Sequence, residues 1–223
     1  MLLLHSPLLA AAATWGALPG LLGEPVLVPE VTADDAPPYA DRYVASVAAQ
    51  AGVMTGSQAS DVAVLAHSGA GPLVPAVVAA LGSAGVPVRA AVFLDAGLPR
   101  PGATRLELLE AEGPEAAAGL RELLDSGGRF PDWTPELLAG LVPDPAAVLA
   151  AMRPRGADFF AEPLPETPLP ADLRYGYVQL SPTYRPHADG ADALGWPVQR
   201  AVLGHLAALS APDRVADLVR RVR

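Results

Sequence analysis

Short apolar runs at residues 1–4, 25–29, 61–66 and 88–94 are hydrophobic at consecutive positions instead of alternating. That is the signature of strands covered on both faces, as in a parallel sheet. The stretches between them, 13–22, 41–51 and 73–84, read as helices. A β-α-β-α-β-α-β order demands crossover connections, with helices on both faces of the sheet. Functional groups in such sheets collect at the carboxyl ends of the strands, so the residues that follow each run matter most.

From residue 99 to 170 the pattern changes to short amphipathic helices, predicted at 103–112, 115–125, 135–141 and 145–152 and broken by Gly and Pro. Pro163, Pro165, Pro168 and Pro170 make an exit that is neither regular helix nor central strand. The expectation is a helical cap at 99–170 inserted into a sheet domain formed by 1–98 and 171–223. The alternative is a set of ordinary surface helices on one sheet face. Strand character returns at 173–180 and 197–203. A last helix over 212–222 starts with Pro212 and ends in arginines, which suits the helix dipole.

Composition narrows the function. A chain of 223 residues, about half of them apolar, can bury a sizeable core as one medium domain. A net charge of −9 argues against nucleic acid and against electrostatic attachment to anionic membranes. Cysteine and lysine are both absent. That removes disulfides, thiolate metal sites, a cysteine nucleophile, Schiff-base chemistry and a P-loop lysine. No His/Asp/Glu cluster has ligand spacing and no glycine-rich phosphate loop occurs, so no cofactor or metal is expected. The apolar N-terminus lacks the positive start of a secretory signal: the first arginine is Arg42, and His5, Ser6 and Pro7 interrupt the run. No stretch reaches the ~18 apolar residues of a membrane span. A cytoplasmic monomer or homodimer acting on a small molecule, with no nucleic-acid or membrane partner, is the resulting expectation.

The strongest local signal is Ala66-His67-Ser68-Gly69-Ala70, where a strand ends and a helix begins at once. A serine on so sharp a turn projects its Oγ from the sheet, and small residues two before and two after it are sterically required. Ala66 and Ala70 satisfy that need, and the following helix aims its N–H groups at any oxyanion formed beside Ser68. Ser68 is therefore the candidate nucleophile. It needs a base, and the histidines are His5, His67, His187 and His205. His67 adjoins the serine in the turn and reads as a packing residue; His187 lies in a polar stretch and reads as a surface residue. His205 follows the last predicted strand and is the candidate base. An acid must hold the imidazole tautomer. The loop Ser181-Pro-Thr-Tyr-Arg185 holds no carboxylate, whereas Asp95 ends the strand after the nucleophile and is the candidate acid. A strand-terminal Asp can also merely cap its loop.

These pieces resemble the α/β-hydrolase superfamily, especially its compact bacterial serine hydrolases. Leu2-Leu-Leu-His-Ser-Pro with Trp15 downstream, Ala66-His-Ser-Gly-Ala-Gly, Val92-Phe-Leu-Asp-Ala-Gly-Leu-Pro99, and Gly204-His-Leu followed by Ala211-Pro-Asp-Arg-Val-Ala occur in family order across nearly the whole chain. The resemblance implies a mostly parallel central sheet with helices on both faces, an N-terminally shortened α/β-hydrolase fold with a helical cap. It also implies a Ser68–His205–acid triad. Similar enzymes often carry His-Gly-x after the first of these strands, with the N–H of x on the oxyanion. Here the run is His5-Ser6-Pro7, and proline has no N–H. Gly69 supplies one donor; the second falls to Leu8 or to a hydroxyl such as that of Ser6.

The leading expectation is a serine hydrolase of an ester or thioester of a small, fairly apolar molecule. His5, Ser6, Leu8, Trp15, Phe159, Phe160 and Tyr184 are its expected pocket lining. The alternative is a lyase, cyclase or other tailoring enzyme on the same fold, working without net hydrolysis. A non-enzymatic binding protein on this scaffold is the third.

Overall fold

A computed structural model of the chain describes residues 1–55 and 61–223, the side chains of Met54 and Thr55 excepted. One parallel sheet contains β1 (Leu2–Leu4), β2 (Val62–Ser68), β3 (Val88–Ala96), β4 (Arg174–Gln179) and β5 (Val198–Arg200), each beside its neighbour in sequence. Between β1 and β2 come α1 (Ala12–Trp15), α2 (Leu18–Leu21) and α3 (Tyr39–Thr55). Helix α4 (Val74–Ser83) links β2 to β3. Then follow α5 (Arg105–Glu112), α6 (Pro114–Asp125), α7 (Pro135–Leu138), α8 (Pro145–Ala150) and α9 (Ala157–Ala161), all before β4. Helix α10 (Arg185–Ala193) links β4 to β5, and α11 (Ala207–Ser210) and α12 (Pro212–Val222) close the chain.

The strand runs are continuously apolar because successive side chains enter two different cores. Leu2, Leu4, Val64, Ala66, Ala91 and Phe93 pack with residues of α3, α4 and α10. Leu3, Leu65, Val92, Leu94 and Val178 pack on the other face with Trp15, Leu18 and the Val215–Val219 side of α12. Gly176 of β4 is fixed by this packing: a Cβ there would fall 2.2 Å from the Val222 carbonyl oxygen.

Several expected elements change. The run at 25–29 is not a strand of the sheet; flanked by Pro25 and Pro29, it makes only a one-residue parallel bridge from Leu27 to Leu2. The helix expected at 13–22 is two short turns, divided at Gly16, whose φ is +48°. Helices α9, α10 and α11 went unpredicted, and α7 stops at Leu138, shortly before Gly140 at φ +76°.

Five helices lie between β3 and β4, and their starts are well specified. Thr104 and Glu107 form a capping box on α5, while Thr134 and Asp144 accept the N3 N–H of α7 and α8. Residues 99–170 join apolar clusters with the rest of the chain and are also held to it by hydrogen bonds and ion pairs. Arg153 N–H donates to the Leu8 carbonyl at 2.9 Å, and Ala10 N–H to the Ala151 carbonyl at 3.0 Å. Asp34 pairs with Arg153 and, at 3.0 Å, with Arg155. Glu162 accepts the N–H groups of Tyr39 and Ala40 at 2.8 Å each, a carboxylate on the positive end of α3. No helix among the described residues is long and apolar enough to cross a membrane.

Candidate active site

Strand β2 ends at Ser68 with φ +56°, and β3 bears Asp95 at φ +44°. Among the described residues these are the positive-φ positions not occupied by glycine. Holding a β-carbon in that region costs on the order of 1–3 kcal/mol, which the packing around each turn must offset. The turn after Ser68 is compact because its neighbours are small. Ala66 and Ala70 are fully buried, and a Cβ on Gly71 would lie 2.2 Å from the Gly97 carbonyl oxygen. Glycine at 71 thus lets the end of β2 close against the end of β3.

Three expected residues come together here. Ser68 Oγ lies 3.0 Å from His205 Nε2, and His205 Nδ1 lies 2.8 Å from Asp95 Oδ2. Asp95 has no solvent exposure, and its remaining capacity is used: Oδ1 accepts Leu180 N–H at 2.7 Å and Ser181 N–H at 3.0 Å, and Oδ2 accepts the Ser181 hydroxyl at 2.6 Å. Burial opposes its charge, but the bonds from His205, Ser181 and Leu180 outweigh that and hold its pKa below the ordinary carboxylate value. With Asp95 acceptor-only, the His205 proton sits on Nδ1 and the Nε2 lone pair faces Ser68.

His67 packs as expected and does more. Burial, reinforced by the neighbouring His205, pushes its pKa down to about 3. The neutral ring, 2% exposed, donates through Nε2–H to the His205 carbonyl at 2.9 Å. Its centroid is 4.5 Å from that of His205.

Ser68, His205, Ser6, Leu8, Gly69, Phe160 and Tyr184 line one cavity of about 580 Å³. His5, Trp15 and Phe159 do not. His5 is wholly buried, its Nδ1 bonded to the Ser6 and Leu9 carbonyls and its Nε2 accepting Val31 N–H at 3.4 Å. It shapes the loop after β1 from behind. Trp15 is core, edge-on to His67. Phe159 packs with Tyr39 and Phe160, beneath the guanidinium of Arg105.

The loop after β1 departs from the expected donor arrangement. Leu8 N–H is directed to Ser6 Oγ at 3.3 Å, and Ser6 Oγ stands 3.4 Å from where a Gly69 Cβ would be. Tyr184 adds a polar group beside the serine: its hydroxyl is 3.3 Å from Ser68 Oγ, and its ring stacks on His205 at 5.0 Å and 5°. Burial raises its pKa far above the usual phenol value, which keeps the O–H protonated.

Other cavity residues were not anticipated. Leu108, Leu109, Leu120 and Leu123 of α5 and α6 make an apolar wall, into which Arg105 and Glu112 are set. Burial lowers the Arg105 pKa to about 10, still cationic at neutral pH. His187 is a correction: it is not a surface residue. Its side chain is 12% exposed, its Nδ1 accepts Leu98 N–H at 3.1 Å, and its Nε2 lies 2.6 Å from Glu112 Oε1. One signal in the sequence pointed to Glu112, a charge four residues after the core-facing Leu108 and so on the same helical face. Among the described residues no group of three or more His, Asp or Glu side chains could hold a metal ion.

No protein-family model and no curated protein sequence matches the chain. Solved structures do. An extracellular α/β-hydrolase from a Paenibacillus species, described as sharing structural and functional homology with tobacco salicylic acid binding protein 2, matches with TM-score 0.65 and 20% identity. The match covers 100% of this chain and 98% of that one. A pyrethroid hydrolase from Sphingobium faniae matches at TM-score 0.62 and 17% identity, over 98% of this chain and 94% of its own. The fold is that of the α/β-hydrolases. A variant of tomato methylketone synthase I, complexed with β-ketoheptanoate, has the same α/β-hydrolase fold (TM-score 0.66, 16% identity, 99% and 95% covered). Within this fold, Ser68, Asp95 and His205 all stand at or just beyond the carboxyl ends of parallel strands, where open α/β sheets place their chemistry.

Proposed function

We propose that the protein is a serine hydrolase that cleaves an ester or thioester of a small, fairly apolar molecule. The observation that carries this is the continuous path from Ser68 Oγ through His205 to Asp95, at 3.0 and 2.8 Å, opening into a mostly apolar cavity. His205 Nε2 takes the Ser68 proton as Oγ attacks the substrate carbonyl, and the imidazolium that forms is stabilised by Asp95. His205 then returns the proton to the leaving alcohol or thiol, leaving an acyl group on Ser68. In the second half, water gives its proton to His205 and attacks the acyl carbon; the bond from that carbon to Ser68 Oγ breaks, His205 returns the proton to Oγ and the acid is released.

The oxyanion formed in each half needs donors. Gly69 N–H is one. Proline at position 7 removes the main-chain donor nearest the expected place for the second. The Ser6 hydroxyl fits the role: it accepts Leu8 N–H, which leaves its own proton free to donate. A fluorophosphonate probe should label the wild type covalently, and Ser68→Ala should lose both the label and on the order of 10⁴-fold or more in ester turnover. Equal labelling of the two proteins would remove Ser68 from this role.

A second reading has its own support. The Tyr184 hydroxyl at 3.3 Å from Ser68 Oγ is a further proton donor that hydrolysis does not require. It suits lyase, cyclase or similar chemistry in which Ser68, His205 and Tyr184 move protons without consuming water. Turnover of an added ester or thioester without ¹⁸O from labelled water entering the product would favour it.

A further inference from the structure

Apolar walls make the cavity, yet one carboxylate interrupts them. Leu98 N–H donates to His187 Nδ1 at 3.1 Å, so that nitrogen is an acceptor and the imidazole proton sits on Nε2. Nε2–H then donates to Glu112 Oε1 at 2.6 Å. This bond satisfies one carboxylate oxygen and fixes the side chain. The other, Oε2, has no hydrogen-bond partner among the described residues, and it is not sealed within the protein. Glu112 forms part of the same cavity wall as Ser68, Pro72, Leu108, Leu109 and Tyr184.

Position sets the distance over which Glu112 can act. The ring of Tyr184 stacks on His205 at 5.0 Å and stands 5.9 Å from the ring of His187. Glu112 and Ser68 line the same cavity from different elements, so a ligand whose carbonyl sits at Ser68 meets the carboxylate at another point along its length. A fixed acceptor in apolar surroundings discriminates strongly, because a ligand with no donor strips its water and leaves it unpaired.

We propose that Glu112 is a specificity-determining acceptor, and that the cavity takes esters or thioesters bearing a hydrogen-bond donor, a hydroxyl or protonated amine, several bonds from the reacting carbonyl. This deepens the hydrolase reading and rests on Ser68 being the acylated group. His187 is the positioning residue that aims the carboxylate.

The test uses p-nitrophenyl esters of straight-chain acids of four to eight carbons, each ending in methyl, methoxy or hydroxyl. At the best-fitting length the wild type should favour hydroxyl over methyl by about tenfold or more in kcat/KM. Glu112→Leu should abolish that preference. Glu112→Gln retains an oxygen for His187 and turns an N–H₂ toward the ligand, so it should raise the methoxy ester relative to methyl. A hydroxyl preference absent from the whole wild-type series, or unchanged in Glu112→Leu, overturns the proposal. If no ester turns over, the hydrolase reading fails separately and donor selection is still read by calorimetry. Ser68→Ala protein should bind the ω-hydroxy forms of 2-hexanone or 2-octanone several-fold tighter than the parent ketones, a gap that Ser68→Ala/Glu112→Leu closes. Equal binding of both ketone forms at both lengths overturns it.

Discussion

The carboxyl ends of the strands and the helical insert contribute to the same cavity in different ways. At the strand ends, Ser68, His205 and Asp95 are set by main-chain turns, and the oxygens of Asp95 take four donors between them. In the helices between β3 and β4, Leu108, Leu120, Leu123 and Phe160 contribute mainly apolar surface, and this segment is held both by polar contacts at Leu8, Ala10, Asp34 and the start of α3 and by apolar clusters shared with the rest of the chain. Geometry that must be kept to tenths of an ångström is built from hydrogen bonds and strained turns. Shape that need only fit a substrate is built from side chains that can be exchanged.

Substitutions can sharpen or break this contrast. After Ser68→Ala, the largest effect is expected for Asp95→Asn. The amide leaves the His205 site in place but disturbs its tautomer, so kcat should fall by roughly 10³–10⁴-fold with little change in KM. The same variant tests linkage. Folding holds Asp95 below its ordinary pKa, so the stability it contributes is fully present above about pH 4 and is lost as pH falls through the lowered value. The Tm gap between wild type and Asp95→Asn should therefore narrow in acid, below about pH 4.

Next comes Phe160→Ala, in the insert. Losing a buried ring should cost about 3–5 kcal/mol of stability, and enlarging the cavity should raise KM about tenfold while kcat stays within a few-fold. A collapse of kcat like that of Asp95→Asn would show that the insert also positions the reacting groups, and the contrast would fail. The smallest effect belongs to the mooring. Glu162→Gln keeps an acceptor for only one of the Tyr39 and Ala40 N–H groups, turns an N–H₂ toward the other and removes the charge at the α3 terminus, and should lower stability by about 1–2 kcal/mol, read as a few degrees of Tm.

The same division governs what was legible in the sequence. Ser68 and Asp95 could be found because each stands at the end of an apolar strand buried on both faces; His205 could be found because it is the histidine shortly after the last strand, although that strand is short and partly exposed. The insert was legible as short helices but not as a wall. Phe159 and Phe160 are consecutive on α9 and so point in different directions; Phe160 lines the cavity and Phe159 packs with Tyr39. His5 looked like a pocket residue because it follows β1, yet its ring is taken up by the carbonyls of Ser6 and Leu9. His187 looked exposed because its sequence neighbours are polar; its partner Glu112 is far away in the chain, and no local pattern reveals such a pair. The run at 25–29 had strand composition, but its prolines restrict it to a single bridge at the edge of β1.

His67 has one more consequence. Because it precedes Ser68 directly and holds the carbonyl of His205, displacement of the turn at the end of β2 carries the base loop with it. That bond ties the turn at the end of β2 to the loop after β5 by a link that does not pass through Ser68 Oγ. The approach of Ser68 Oγ to His205 Nε2 is thereby secured from the main-chain side of His205 as well as by the side chains themselves.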